Sequence, residues 1–264
     1  MFGSELVVQL SIYFMKYYSH LGCLLLSSLT LHPLSCATNT KERGIIESSE
    51  SFMSGGKKIQ VETFAPVTVG RFPTVLVLHS SAGTILGKGS LVMLCRKLAA
   101  EGKMAMLVHY YDRTNTHWSD DEKIRKLWPT WAQTIKDAVS YAASDPRSKP
   151  EAIGLFGYSL GAYLAVAVAS EDARVSAVVE VAGGIFVNPS PNMKRMPSML
   201  ILHGRQDQRV SVTQAYELER AARKLGARPK LHIYEGEGHV LSREAMQDAI
   251  ARTLKFFAAN LSAN

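Results

Sequence analysis

The chain has 264 residues, 47% apolar and 20% charged, an ordinary globular composition with room for one large α/β domain or two small ones. Its formal net charge is +7 and its pI about 9.3. The basic residues are scattered, with no Lys/Arg run longer than two and no aromatic–basic interleaving, so a nucleic-acid partner is set aside in favour of a solvated basic surface.

In chain order, Lys16 precedes the apolar run Leu21–Leu31, followed by Pro33 and the small-residue site Ser35-Cys36-Ala37. This is the n-region, h-region and cleavage-site order of a secretory signal peptide over residues 1–37, with Met15 as the expected true start. The run is too short to span a membrane. The expectation is a secreted or periplasmic domain over 38–264, without a stable membrane span once the signal is removed. A retained apolar anchor and a lipid anchor through Cys36 are the alternatives; Pro33 counts against the second. Cleavage leaves Cys95 as the single cysteine, in the apolar helical pattern Leu91–Leu98, which predicts a buried thiol and no internal disulfide.

Residues 38–54 are polar and Ser/Glu-rich and read as loosely ordered. Gly55-Gly56-Lys57 is a turn between Ile45-Ile46 and the alternating segment Ile59–Phe64, which predicts an antiparallel pair at a sheet edge. Continuous apolar runs follow at 74–78, 104–108, 152–156, 175–181, 198–202 and 230–234, as expected of strands buried on both faces of a parallel sheet. Helical patterns alternate with them at 91–101, 131–144, 162–170, 214–225 and 245–257. The alternation predicts a three-layer α/β domain with a mostly parallel sheet.

The run Ile153 to Ala162 is a strand, then Gly157-Tyr158-Ser159-Leu160-Gly161, then a helix of small residues. A turn this tight lifts a serine oxygen clear of the sheet, and only glycine fits two positions either side of it. The following helix aims its first N–H groups at that oxygen. Ser159 is therefore the candidate nucleophile, which needs a base and an orienting acid. Downstream, the strand Leu200–Leu202 leads into His203-Gly204-Arg205-Gln206-Asp207, and the strand ending at Tyr234 leads into Gly236-Glu237-Gly238-His239. Asp207 and His239 thus fall just past strand ends, where open α/β sheets bind ligands. Glu180, at the end of the preceding strand, is the alternative acid. His203 reads as packing, and Glu235 and Glu237 as solvated. His79, His109, His117 and His232 lack metal-ligand spacing, so no metal is predicted.

This ordered set over 74–257 resembles the α/β-hydrolase superfamily, with its nucleophile elbow, H-G-x-x-D and G-x-x-H segments. The short chain without room for a large lid is most similar to the dienelactone hydrolase family. That family proper carries cysteine at the elbow; here it is Ser159, so dienelactone activity does not follow. The resemblance implies a three-layer α/β-hydrolase fold, a Ser159–His239–Asp207 triad and an oxyanion hole from two backbone N–H groups. One belongs to Leu160. The other comes from His79-Ser80-Ser81-Ala82-Gly83, similar to the family's H-G-x-x-G, with Ser81 first and Ser80 second. The substrate pocket is expected from Ser80, Tyr110, Tyr111, Tyr158, Trp118, Ile185, Phe186 and Val187. Trp118, Trp128 and Trp131 build either a small cap or a helix that buries tryptophans in the core.

The reaction expected is hydrolysis of a small carboxylic ester or lactone through an acyl-enzyme, with no cofactor, in a monomer or homodimer. An acyltransferase using the same triad and a non-catalytic binding protein on this scaffold are the rivals.

Overall fold

A computed structural model describes residues 44–186 and 193–261. The expected signal segment with Met15 and Cys36, and Val187 of the expected pocket, lie outside the described residues.

β1 (Ile45–Ser54) and β2 (Lys57–Pro66) form a hairpin paired along all ten residues of each. Gly55 and Gly56 join them at φ 50° and 76°, the left-handed pair that a two-residue turn needs to match strand twist. The expectation of loose order over 38–54 is therefore corrected for 45–54. The Ser/Glu composition misleads because β1 is an edge strand. Phe52 turns into the core, while Glu47 and Glu50 reach Arg96 at 2.7 Å and Arg147 at 2.9 Å.

Six further strands follow: β3 (Phe72–Leu78), β4 (Met104–Val108), β5 (Ser148–Tyr158), β6 (Val175–Val181), β7 (Ser198–Gly204) and β8 (Lys230–Tyr234). The sheet order is β1-β2-β4-β3-β5-β6-β7-β8, and β2 alone runs against its neighbours. Strand residues alternate between two cores. Val75 and Val77 pack with α1 (Lys88–Ala100) and α5 (Arg243–Asn260). Leu76 and Leu78 pack with α2 (Asp121–Ser144), α3 (Leu160–Glu171) and α4 (Thr213–Lys224). The result is the three-layer, mostly parallel α/β sandwich that the patterning predicts.

The largest departure is α2, which begins ten residues before the expected Trp131. Pro129 lies inside the helix and masks the pattern before it, while the Asp120 carboxylate caps the helix by accepting from Lys123 N at 2.8 Å. Trp128 and Trp131 are buried in the core and Trp118 is exposed in the preceding loop, so 113–131 builds no separate cap. Cys95 is wholly buried, and burial pushes its thiol far up. No helix among the described residues is long and apolar enough to cross a membrane.

The strand order reverses between β3 and β5, the kind of switch point at whose carboxyl edge open α/β sheets bind ligands. The loops after β3, β5, β7 and β8 meet at that edge.

Candidate active site

Ser159 stands at φ 53°, ψ −117°, a conformation that costs a non-glycine residue on the order of 1–3 kcal/mol. The surroundings hold it there. Ser159 N donates to Val181 O at 2.8 Å. A Cβ on Gly157 would lie 2.2 Å from Gly161 O, and one on Gly161 would lie 2.6 Å from both Leu78 O and His79 O. Both elbow glycines are thus required by close backbone approach, as the sequence predicts.

The Asp207 loop and the His239 loop are fastened together. Gln206 N donates to Glu237 O at 2.8 Å, and a Cβ on Gly204 would strike Gly238 O at 2.4 Å. The buried Asp207 carboxylate accepts at Oδ1 from Arg209 N and Val210 N, both at 2.8 Å, and at Oδ2 from His239 Nδ1 at 2.8 Å. Burial opposes its charge, but hydrogen bonds from His203, His239 and Val210 N outweigh that and hold the carboxyl well below the usual range. A carboxylate only accepts, so His239 Nδ1 carries the proton and Nε2 presents its lone pair. Ser159 Oγ lies 3.0 Å from that Nε2. The structure therefore brings Ser159, His239 and Asp207 together in a continuous hydrogen-bonded line.

Leu160 opens α3, and its N–H has no backbone partner among the described residues, nor does that of Ser81. The loop carrying Ser81 is fixed through its carbonyls. Tyr110 Oη donates to His79 O at 2.9 Å, His79 Nδ1 to Ser80 O at 2.9 Å, and Ser119 N and Tyr111 Oη to Ser81 O at 3.0 and 3.2 Å. The buried His79 ring stacks on Tyr110 with centroids 4.0 Å apart, and burial lowers its pKa to about 3, so it stays neutral.

The expected pocket is only partly assembled from its expected residues. Tyr110 is wholly buried and Tyr111 nearly so, and both hydroxyls bond to carbonyls of the loop after β3, so the two expected pocket residues support that loop. Tyr158 donates its hydroxyl to His239 O at 2.6 Å and supports the histidine loop. Ser80 anchors its own turn by accepting from Gly83 N at 3.0 Å. Phe186, half-buried beside Ile185, stacks on Trp128 at 4.0 Å. Trp118 is 49% exposed in a loop that lies against Gly83 through His117 O. Ile85, Leu86 and Val240, which the sequence did not single out, are 68%, 50% and 57% exposed and follow, in sequence, the loop after β3 and His239. Their adjacency to Gly83 and His239 was the available signal. The sequence also did not single out the Arg209–Asp121 ion pair, which ties the aspartate loop to the start of α2 and has no local signature. Among the described residues no three His, Cys, Asp or Glu side chains converge as a metal site.

A profile of the dienelactone hydrolase family matches residues 59–261. A protein of Synechocystis sp. described as a "putative carboxymethylenebutenolidase" is 25% identical over 195 residues, 66% of this chain and 77% of that protein. Mouse acyl-coenzyme A thioesterase 1 is 27% identical over 128 residues, 48% of this chain but only 28% of the thioesterase. Among solved structures, a cold-adapted esterase from an Arctic intertidal metagenomic library superposes with a TM-score of 0.64 at 17% identity, over 83% of this chain and 95% of that one, a likeness of fold.

Proposed function

The chain belongs to the dienelactone hydrolase family, and from that premise we propose that it is a serine hydrolase cleaving a small carboxylic ester or lactone through an acyl-enzyme. The observation that carries the reading is the line Ser159 Oγ–His239 Nε2, His239 Nδ1–Asp207 Oδ2, at 3.0 and 2.8 Å. His239 takes the serine proton as Oγ attacks the acyl carbon, then gives it to the leaving alcohol. Asp207 holds the tautomer and offsets the imidazolium charge. The N–H groups of Leu160 and Ser81 receive the oxyanion. Water, activated in turn by His239, releases the acid.

The relatives support ester chemistry by their descriptions: a carboxymethylenebutenolidase, a thioesterase and an esterase. The Ser159 side chain, where the resembled family proper has cysteine, withdraws its named lactone as the default substrate. Ile85, Leu86, Trp118 and Val240 are exposed large apolar side chains; the first two follow the loop after β3, Trp118 lies in the loop whose Ser119 N donates to Ser81 O, and Val240 follows His239. Apolar side chains so near the loops of the site in sequence favour an apolar acyl or aryl ester over a sugar or phosphate.

A panel of p-nitrophenyl esters of graded acyl length, lactones and a peptidyl amide tests the proposal. Ester turnover should rise with apolar acyl groups, a fluorophosphonate should label Ser159, and Ser159→Ala should lose at least about 10⁴-fold in kcat/KM. An unchanged rate in Ser159→Ala overturns it. Export belongs to the same proposal, on the Lys16 to Ala37 pattern; the mature protein should begin at Thr38 by N-terminal sequencing.

A further inference from the structure

Tyr158 closes β5 one residue before Ser159, and the sequence expectation places it in the substrate pocket. The structure gives its hydroxyl a different partner. Tyr158 Oη donates to His239 O at 2.6 Å, a bond between residues 81 positions apart. The phenol ring stands edge-on to the His239 ring, with centroids 6.2 Å apart. Side chains alternate along a strand, so Phe156 and Tyr158 leave β5 on one face. The apolar body of Tyr158 packs there against the core layer that holds Phe156, Tyr234 and the buried Leu241.

The loop that carries His239 is fastened at both ends. The Glu237 carboxylate accepts from Ser242 N at 2.6 Å and from Ser242 Oγ at 2.7 Å, while Glu237 O accepts from Gln206 N at 2.8 Å. His239 and Val240 lie midway between those ends. Among the described residues, the bond from Tyr158 is the one hydrogen bond that the His239 backbone makes. Burial pushes the phenol up to about 12, against the pull of the Leu241 N–H, so the hydroxyl keeps its proton and donates throughout the neutral range.

Two consecutive residues thus grip opposite ends of the base. Ser159 Oγ lies 3.0 Å from the ring at Nε2, and Tyr158 holds the backbone carbonyl. Asp207 holds Nδ1 at 2.8 Å. That bond sets which way the ring points, but a ring can pivot about one hydrogen bond if its backbone shifts. Proton transfer needs Nε2 within hydrogen-bond reach of Oγ, so the place of the backbone matters as well.

Building on the serine-hydrolase reading, we propose that Tyr158 is a positioning residue for proton transfer: its hydroxyl sets the His239 backbone against the nucleophile elbow, so that Nε2 stays within reach of Ser159 Oγ. It touches no substrate. Its action on the reaction runs through His239 alone.

The test compares the full-length protein with Tyr158→Phe, which keeps the ring and removes the hydroxyl. On the graded p-nitrophenyl esters, kcat should fall about tenfold, by the same factor for every acyl length, with KM unchanged, the pattern of a misplaced rather than a missing catalytic group. Fluorophosphonate labelling of Ser159 should slow by a similar factor. The low-field His239 Nδ1–H resonance should move in the variant. In the parent, a slowly exchanging Tyr158 hydroxyl proton should show NMR cross-peaks to backbone protons of the His239 turn. An unchanged kcat or an unmoved His239 resonance in Tyr158→Phe overturns the proposal. So does a loss confined to KM, or one that reorders the esters, because either makes Tyr158 a wall of the pocket. Absence of the hydroxyl cross-peaks in the parent overturns it whether or not the variant folds. Parent protein that neither hydrolyses esters nor is labelled overturns the serine-hydrolase reading instead, and the spectra still decide whether Tyr158 sets His239.

Discussion

At the hairpin edge of the sheet, Glu50 accepts from Arg147 at 2.9 and 3.1 Å and from Tyr141 Oη at 2.7 Å, while Arg147 also holds Asp145 at 2.6 Å. At the carboxyl edge, Glu180 and His203 each keep an unmatched atom, and Ser159 sits at positive φ. The first network is half solvated and every group in it has a partner. The second is buried, strained and incompletely paired, yet it is the better specified of the two in sequence. The contrast separates charge that secures an edge from charge held in place against its own solvation preference. Proteins keep the second kind where geometry at a reacting atom depends on it.

Breaking the buried line should have the largest effect. Asp207→Asn keeps the shape but loses the tautomer of His239, and kcat should fall roughly 10³–10⁴-fold with little change in KM. A retained rate would mean that another carboxylate orients the ring. Gly161→Ala comes next. Its new methyl meets two backbone oxygens of the β3 end, so unfolding titrations should show a loss of about 3 kcal/mol, with impaired activity because the same backbone carries the oxyanion loop.

Glu180→Gln should act in the opposite sense on stability. A carboxyl raised from 4.5 to about 7 on folding supports the native state below pH 4.5, and that support is lost as pH rises through 7. The variant should therefore be more stable than the parent at pH 8, by roughly 3 kcal/mol, and nearly equal at pH 4.5. Denaturant midpoints at the two pH values check the sign. A variant less stable at pH 8 would place Glu180 with the matched edge network. The smallest effect belongs to that edge. Glu50→Gln removes one half-exposed ion-pair partner and should cost under about 1 kcal/mol, with unchanged kcat/KM. A loss of activity there would join the two regions that the comparison keeps apart.

Much of the site was legible because its signals are local. Gly157 and Gly161 bracket Ser159 within one turn, and Asp207 and His239 each follow an apolar strand by a few residues. The order of strands and helices was legible for the same reason, except where a local signal misled: Ser/Glu residues hid the edge strand β1, and Pro129 hid the first part of α2. Tyr110, Tyr111 and Tyr158 are expected in the pocket because they follow or end strands at the carboxyl edge. They instead spend their hydroxyls on the carbonyls of His79, Ser81 and His239.

The sequence by itself determined which residues turn, which run apolar, and that a serine, an aspartate and a histidine follow strand ends in that order. Those properties depend on neighbours a few positions away along the chain. Only the tertiary structure decided that Tyr110 and Tyr111 brace the loop after β3, that Arg209 reaches Asp121, and that Glu180 shares a buried face with His203. Each of these partnerships joins separate elements through strand register and layer packing, and a buried polar atom takes whatever partner that packing brings within reach.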